Sequence, residues 1–169
     1  MTAFKRAYHD LGAISLQPLS AGNAERLGIA LAAMPPWSVI GYPATRLSEW
    51  LGRDEPSMGK FEVLAGAELA GVIVIQDPFL HGPYLKLIAV LPKFQGRRFG
   101  QILLHWMEHE ARKAQARQLW LCVSSFNMRA RDFYERMGFE TVALLDKLAS
   151  DASDELFMRK RLSYGVASR

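Results

Sequence analysis

Between Gln95 and Gly100 the chain reads QGRRFG, two glycines enclosing a pair of arginines. The surrounding stretch, LIAVLPKFQGRRFGQILL over residues 87–104, passes from a strand-like apolar run through Pro92 into an amphipathic helix. A turn that opens directly into a helix leaves the first backbone N–H groups without intrahelical acceptors, and the helix dipole adds positive potential at the same end. Gly96 and Gly100 have no Cβ to hold a ligand off that backbone, while Arg97 and Arg98 add full charges. Such a turn is suited to a diphosphate.

Two familiar phosphate loops do not fit this spacing. A P-loop needs Gly-Lys followed by Ser or Thr, whereas Gly100 is followed by Gln101 and Ile102. A dinucleotide fingerprint needs a third glycine and an acidic residue at the end of the next strand, and the strand near Leu119 has none. A second segment carries its own pattern. LWLCVSSFNMRARDFYERMGF, residues 119–139, is a short strand followed by Asn127, Ala130, Phe133, Tyr134, Gly138 and Phe139 at fixed offsets.

Together the two segments resemble the paired motifs of the GNAT superfamily, the acyl-CoA-dependent N-acyltransferases. The first is similar to that family's Q/R-x-x-G-x-G/A turn after a strand ending in V-x-P: Val90, Pro92, Gln95 and Gly100 match, and Arg98 stands where the family usually has its middle glycine. The second resembles the family's strand, Asn, Ala and F-Y-x-x-x-G-F series. The resemblance implies acetyl-CoA as co-substrate and no metal. It implies a pantetheine arm running along the backbone of Ile88 and Val90. The diphosphate would lie on the amides of Gln95, Gly96, Arg97, Arg98, Phe99, Gly100 and Gln101, with Asn127 and Tyr134 on the other side of the cleft.

Acyl transfer to an amine needs a neutral nitrogen, stabilisation of the oxyanion and a proton for the departing thiolate. A phenol, with pKa near about 10, stays protonated at neutral pH and donates to a thiolate whose thiol has pKa near about 8.5. Tyr134 is the expected general acid. The strand before the turn, YLKLI at residues 84–88, has no carboxylate, and Lys86 is a poor base unless strongly desolvated. Glu62, Asp77, His81 and a water relay remain as candidates for the base. The function implied is an N-acetyltransferase acting by direct transfer in a ternary complex on a primary amine of a small molecule or a peptide or protein N-terminus. The alternative is a non-catalytic acyl-CoA-binding regulatory module.

Two further patterns are set aside. His105 and His109 in H-x-x-E-H match an inverted zinc-protease spacing, but at about 100° per residue they fall to the side of the Phe99, Leu103, Trp106 stripe, toward solvent. Cys122, inside a short apolar strand, reads as packing rather than as a nucleophile.

The elements that must position these residues follow from periodicity. Strands are expected at 14–17, 60–65, 69–76, 84–90, 119–123, 141–145 and 156–161, with Gly66-Ala67-Glu68 as a hairpin turn. Helices are expected after a Ser20 cap up to Pro35-Pro36, over 43–51, over 98–116 and over 127–137. The resulting class is α/β (mixed α+β): by resemblance the GNAT fold, a mixed central sheet of about six or seven strands with flanking helices. The resemblance implies that strands 84–90 and 119–123 run parallel and splay apart.

With 169 residues, half of them apolar, the chain is expected to form one domain over 14–165 behind a flexible segment 1–13. One cysteine, no apolar run of eighteen residues and no signal-peptide core give a cytoplasmic reading without a membrane partner. The net charge of +4 does not gather into one basic stripe interleaved with aromatics, which argues against nucleic acid. A homodimer is left open.

Overall fold

The computed structural model describes Phe4 and residues 7–163. Strands β1 (His9–Asp10) and β2 (Ser15–Pro18) lead into helices α1 (Ala21–Ala32), α2 (Trp37–Ile40) and α3 (Ala44–Gly52). Strands β3 (Met58–Ala65), β4 (Glu68–Phe79) and β5 (Gly82–Val90) form a meander; α4 (Phe99–Lys113), β6 (Gln118–Ser124), α5 (Met128–Arg136), β7 (Glu140–Ser150) and β8 (Ser153–Arg161) complete the described chain. All eight strands form one sheet in the order β1-β2-β3-β4-β5-β6-β8-β7, antiparallel except for β5 beside β6.

Strand β4 shows why the sheet is covered on both sides. Its VIVI run alternates in a period of two. Val72 and Val74 pack with Leu27, Leu31, Leu47 and Leu51 of α1 and α3, while Ile73 and Ile75 pack with Leu103, Met107 and Phe61 on the opposite face. Alternation places each residue in one of two cores, so an unbroken apolar strand is what this position requires.

Strand β5 does not alternate regularly. Val74 pairs with Leu87 but Ile75 pairs with Leu85, so Lys86 is an extra, bulged residue. The bulge inverts the side-chain parity: Leu85 belongs to the core under α4, whereas Leu87 and Ala89 face α1 and α3. A bulge also bends its strand, and pairing with β6 stops at the residue before it.

Three expectations are revised. The sheet has eight strands, because His9 and Asp10 pair with Leu16 and Ser15; two residues are too few to produce a legible alternation. In the segment 1–13, read as flexible, Phe4 is 2% exposed and lies edge-on to Trp106 at 5.5 Å, so this part of it is packed. Residues 1–3, 5 and 6, like 164 and 165 at the end of the expected domain, lie outside the described residues. The short helix α2 has no counterpart in the sequence reading. No helix among the described residues is long and apolar enough to cross a membrane.

Candidate functional site

Strands β5 and β6 pair at only two positions, Tyr84 with Trp120 and Leu85 with Leu121, although β5 continues to Val90 and β6 to Ser124. The backbone edge of β5 beyond the bulge therefore has no sheet partner on that side, which a folded chain cannot leave buried without another acceptor or solvent. The gap opens a cleft of about 940 Å³. Ile88 and Val90 line it.

At one end of the cleft stands the turn from Gln95 to Gly100. Gly96 has φ 78° and Arg98 has φ 62° and ψ 17°, so both take the left-handed conformation that glycine adopts most easily. Arg98 caps α4 without a side-chain hydrogen bond, and the first intrahelical bond runs from the Ile102 N–H to the Arg98 carbonyl. The amides of Phe99, Gly100 and Gln101 thus have no acceptor inside the helix. Gly100 has a different role: a Cβ there would lie 3.3 Å from the Phe133 ring, a tight contact that the ring would have to relieve by a small shift. The Gln95 side chain donates its Nε2–H to the Val90 carbonyl at 3.0 Å, tying the turn to the strand end. Of the expected turn residues only Arg97 does not line the cleft; its guanidinium lies over the Phe94 ring at 5.3 Å. A left-handed pair of residues, three helix amides without an intrahelical acceptor and the Arg98 side chain form a cradle suited to a diphosphate.

Across the gap, Asn127 caps α5, its Oδ1 accepting from the Ala130 N–H at 3.3 Å. Its capping role explains its place at the helix start. Tyr134 lines the cleft from α5, is 8% exposed, and is held protonated far above the usual phenol range by burial alone. Tyr84 is raised likewise, first by burial, then by the neighbouring Cys122, Glu155 and Tyr134. Cys122 lines the cleft as well, which its packing interpretation did not anticipate, and burial pushes its thiol up.

The expected bases do not reach this place. Glu62 is 1% exposed and outside the cleft; its carboxylate accepts from Gln17 Nε2 at 2.5 Å, Asn23 Nδ2 at 2.9 Å, and the Ser20 N–H and Oγ at 3.1 Å each. Burial alone would raise its pKa, but these donors outweigh it and hold it below the usual range. It anchors the start of α1. Asp77 and His81, at the far end of the β4–β5 hairpin, do not line the cleft either. His105 and His109 are exposed, and Glu108 between them pairs with Arg112 and Lys160.

One carboxylate does line the cleft, Glu155 of β8, and sequence reasoning missed it. Its signal was parity: it alternates with Leu156, which packs toward the core under α4. That points Glu155 to the other side of its strand, but which side faces a cleft depends on β8 lying beside β6.

Comparison with known proteins adds a family. The model of the acetyltransferase (GNAT) family matches residues 26–139. No curated protein matches the chain. Among solved structures it is similar to a nourseothricin acetyltransferase at 29% identity, covering 65% of this chain and 68% of that one, with TM-score 0.59. It is also similar to the ribosomal-protein-S18-alanine N-acetyltransferase of Escherichia coli at 20% identity, covering 92% and 98%, with TM-score 0.70. A Bacillus anthracis protein solved in complex with acetyl coenzyme A aligns at 19% identity over 65% of each chain, with TM-score 0.58.

Proposed function

Because the chain belongs to the acetyltransferase (GNAT) family, we propose that it is an N-acetyltransferase transferring the acetyl group of acetyl-CoA directly to a primary amine, with both substrates held together in the β5–β6 cleft. The acceptor is a small molecule or a peptide N-terminus. The observation that carries this reading is the cleft itself: an anion-ready helix start at one end and a buried, fully protonated phenol facing the gap between the strands.

In this reading the amides of Phe99, Gly100 and Gln101 and the Arg98 guanidinium hold the diphosphate, and the open backbone of Ile88 and Val90 holds the amide-rich arm. The thioester then lies near Tyr134, whose proton goes to the departing thiolate. Burial keeps that proton in place until the sulfur takes up negative charge. The module alternative drew on Arg98 and on the missing strand carboxylate. Arg98 nevertheless takes the left-handed turn conformation, and a carboxylate enters the cleft from β8.

A thiol-release assay with acetyl-CoA and a panel of amines and peptides tests the activity. Tyr134→Phe keeps the ring's packing and removes the proton donor, so kcat should fall by about 10²-fold to 10⁴-fold with CoA affinity unchanged. An unchanged kcat would return Tyr134 to the role of a core residue.

A further inference from the structure

We propose that Glu155 receives the acceptor: it pairs with the ammonium and takes its proton, and the acceptor is a cationic primary amine carried on an apolar group. The inference rests on the acetyltransferase reading and names the substrate class of the same cleft.

Three observations carry it. Among the described residues Glu155 is the one carboxylate lining the cleft, and it is 6% exposed. Its Oε1 accepts from Ser124 Oγ at 2.6 Å, in register across β8 and β6, which fixes the side chain at the end of β6 where the gap is open. Its second oxygen has no hydrogen-bond partner among the described residues and is not sealed from solvent, so it is left for a donor arriving through the cleft. A buried carboxylate with only one donor is costly unless it takes up a proton or a cation completes it.

The walls define the rest of the acceptor. Met34, Trp37, Ile40 and Tyr42 line the cleft from the α1–α3 side, and Leu148 of β7, 61% exposed, lines it from the other. These side chains suit a hydrocarbon or aromatic body behind the amine.

The proton balance closes without a further reagent. Glu155 takes one proton from the ammonium, leaving a neutral amine whose lone pair forms the N–C bond to the thioester carbonyl carbon. The C–S bond breaks with its electron pair on sulfur, and the thiolate takes the Tyr134 proton. The second amine proton passes to the Tyr134 oxygen, and the proton on Glu155 leaves to solvent. One proton is released per turnover.

The groups facing Glu155 are Ser124 and Cys122 from β6 and Tyr84 from β5; Lys86 and Tyr134 stand near these. Burial raises the Glu155 pKa and the Ser124 hydrogen bond opposes it. Amine capture should therefore weaken as pH falls through that raised pKa, and Ser124→Ala should move the weakening to higher pH.

The test uses the CoA-loaded protein and two calorimetric probes of one shape, phenethylammonium and neutral 2-phenylethanol. Wild type should bind the cation at least tenfold more tightly, and Glu155→Gln should erase that preference while keeping CoA binding and a Tm equal to or above wild type. Equal binding of the two probes by wild type, binding of neither, or a preference that survives in Glu155→Gln would each overturn the proposal. Failure of wild type to bind CoA would instead strike the acetyltransferase reading.

Discussion

Two buried glutamates show how little residue type says alone. Glu62 collects donors from Gln17, Ser20 and Asn23 and is held ionised; Glu155 has one donor, Ser124, and burial wins. The balance between each carboxylate's own desolvation and the donors that offset it decides the sign. Arg98 presents a similar balance. A side chain held at φ 62° costs roughly 1–2 kcal/mol, while glycine in its place costs about 0.5–1 kcal/mol in unfolded-chain entropy. Arg98→Gly should thus stabilise the free protein by about 0.5–1 kcal/mol in a denaturant titration. In the proposed cradle the same change removes a charge-assisted phosphate contact, and CoA binding measured by calorimetry should weaken by about fivefold, roughly 1 kcal/mol at an exposed site. Tighter CoA binding in the variant would mean that the Arg98 side chain obstructs the cradle.

At the level of elements, the cleft exists because β5 gains one residue at Lys86 just where it would continue alongside β6. The proposed acceptor wall lies in the segment joining α1 to α3, which pack closely against each other. Gly28 sits where a Cβ would lie 2.1 Å from Ser48 Oγ and 2.5 Å from the Ser48 backbone nitrogen. Gly28→Ala adds up to about 1 kcal/mol of helix propensity, but the backbone contact forces the helices apart at a cost of about 1–3 kcal/mol or more. We expect a net loss of stability by thermal denaturation, together with a larger rise in KM for the amine than for acetyl-CoA, since the proposed acceptor wall of Met34, Trp37, Ile40 and Tyr42 lies in the segment joining α1 to α3. A stable variant with both KM values unchanged would show that α1 and α3 do not set the acceptor wall.

Among the described residues the two cores lie on opposite faces of the sheet, with Leu91 packed against both, and the cleft opens the sheet between β5 and β6. A ligand that bridges the gap should stiffen both halves together. CoA at a hundredfold its Kd should stabilise the protein by about 2.7 kcal/mol, an increase of about 5–10 °C in Tm for a chain of this size. Absence of a shift at saturating CoA would remove the basis for the cradle at residues 95–101.

The sequence by itself determined most of the scaffold. Ser20 caps α1 and Asn127 caps α5, β4 alternates between two cores, and the glycine-spaced turn runs into α4, because caps, periodicity and turn residues act over a few neighbouring positions. The resemblance placed Tyr134 opposite that turn, and Tyr134 does line the cleft. Tertiary structure decided what depends on partners distant in the chain. The one-residue bulge at Lys86 reverses which side of β5 each residue faces, and no local signal marks it. Glu62 was an open candidate until its donors from β2 and α1 surrounded it. Glu155 became the carboxylate of the cleft only because β8 inserts beside β6, bringing it to Ser124 across 31 positions of sequence. Strand order sets which face a side chain meets, and strand order is fixed by the packing of the whole chain.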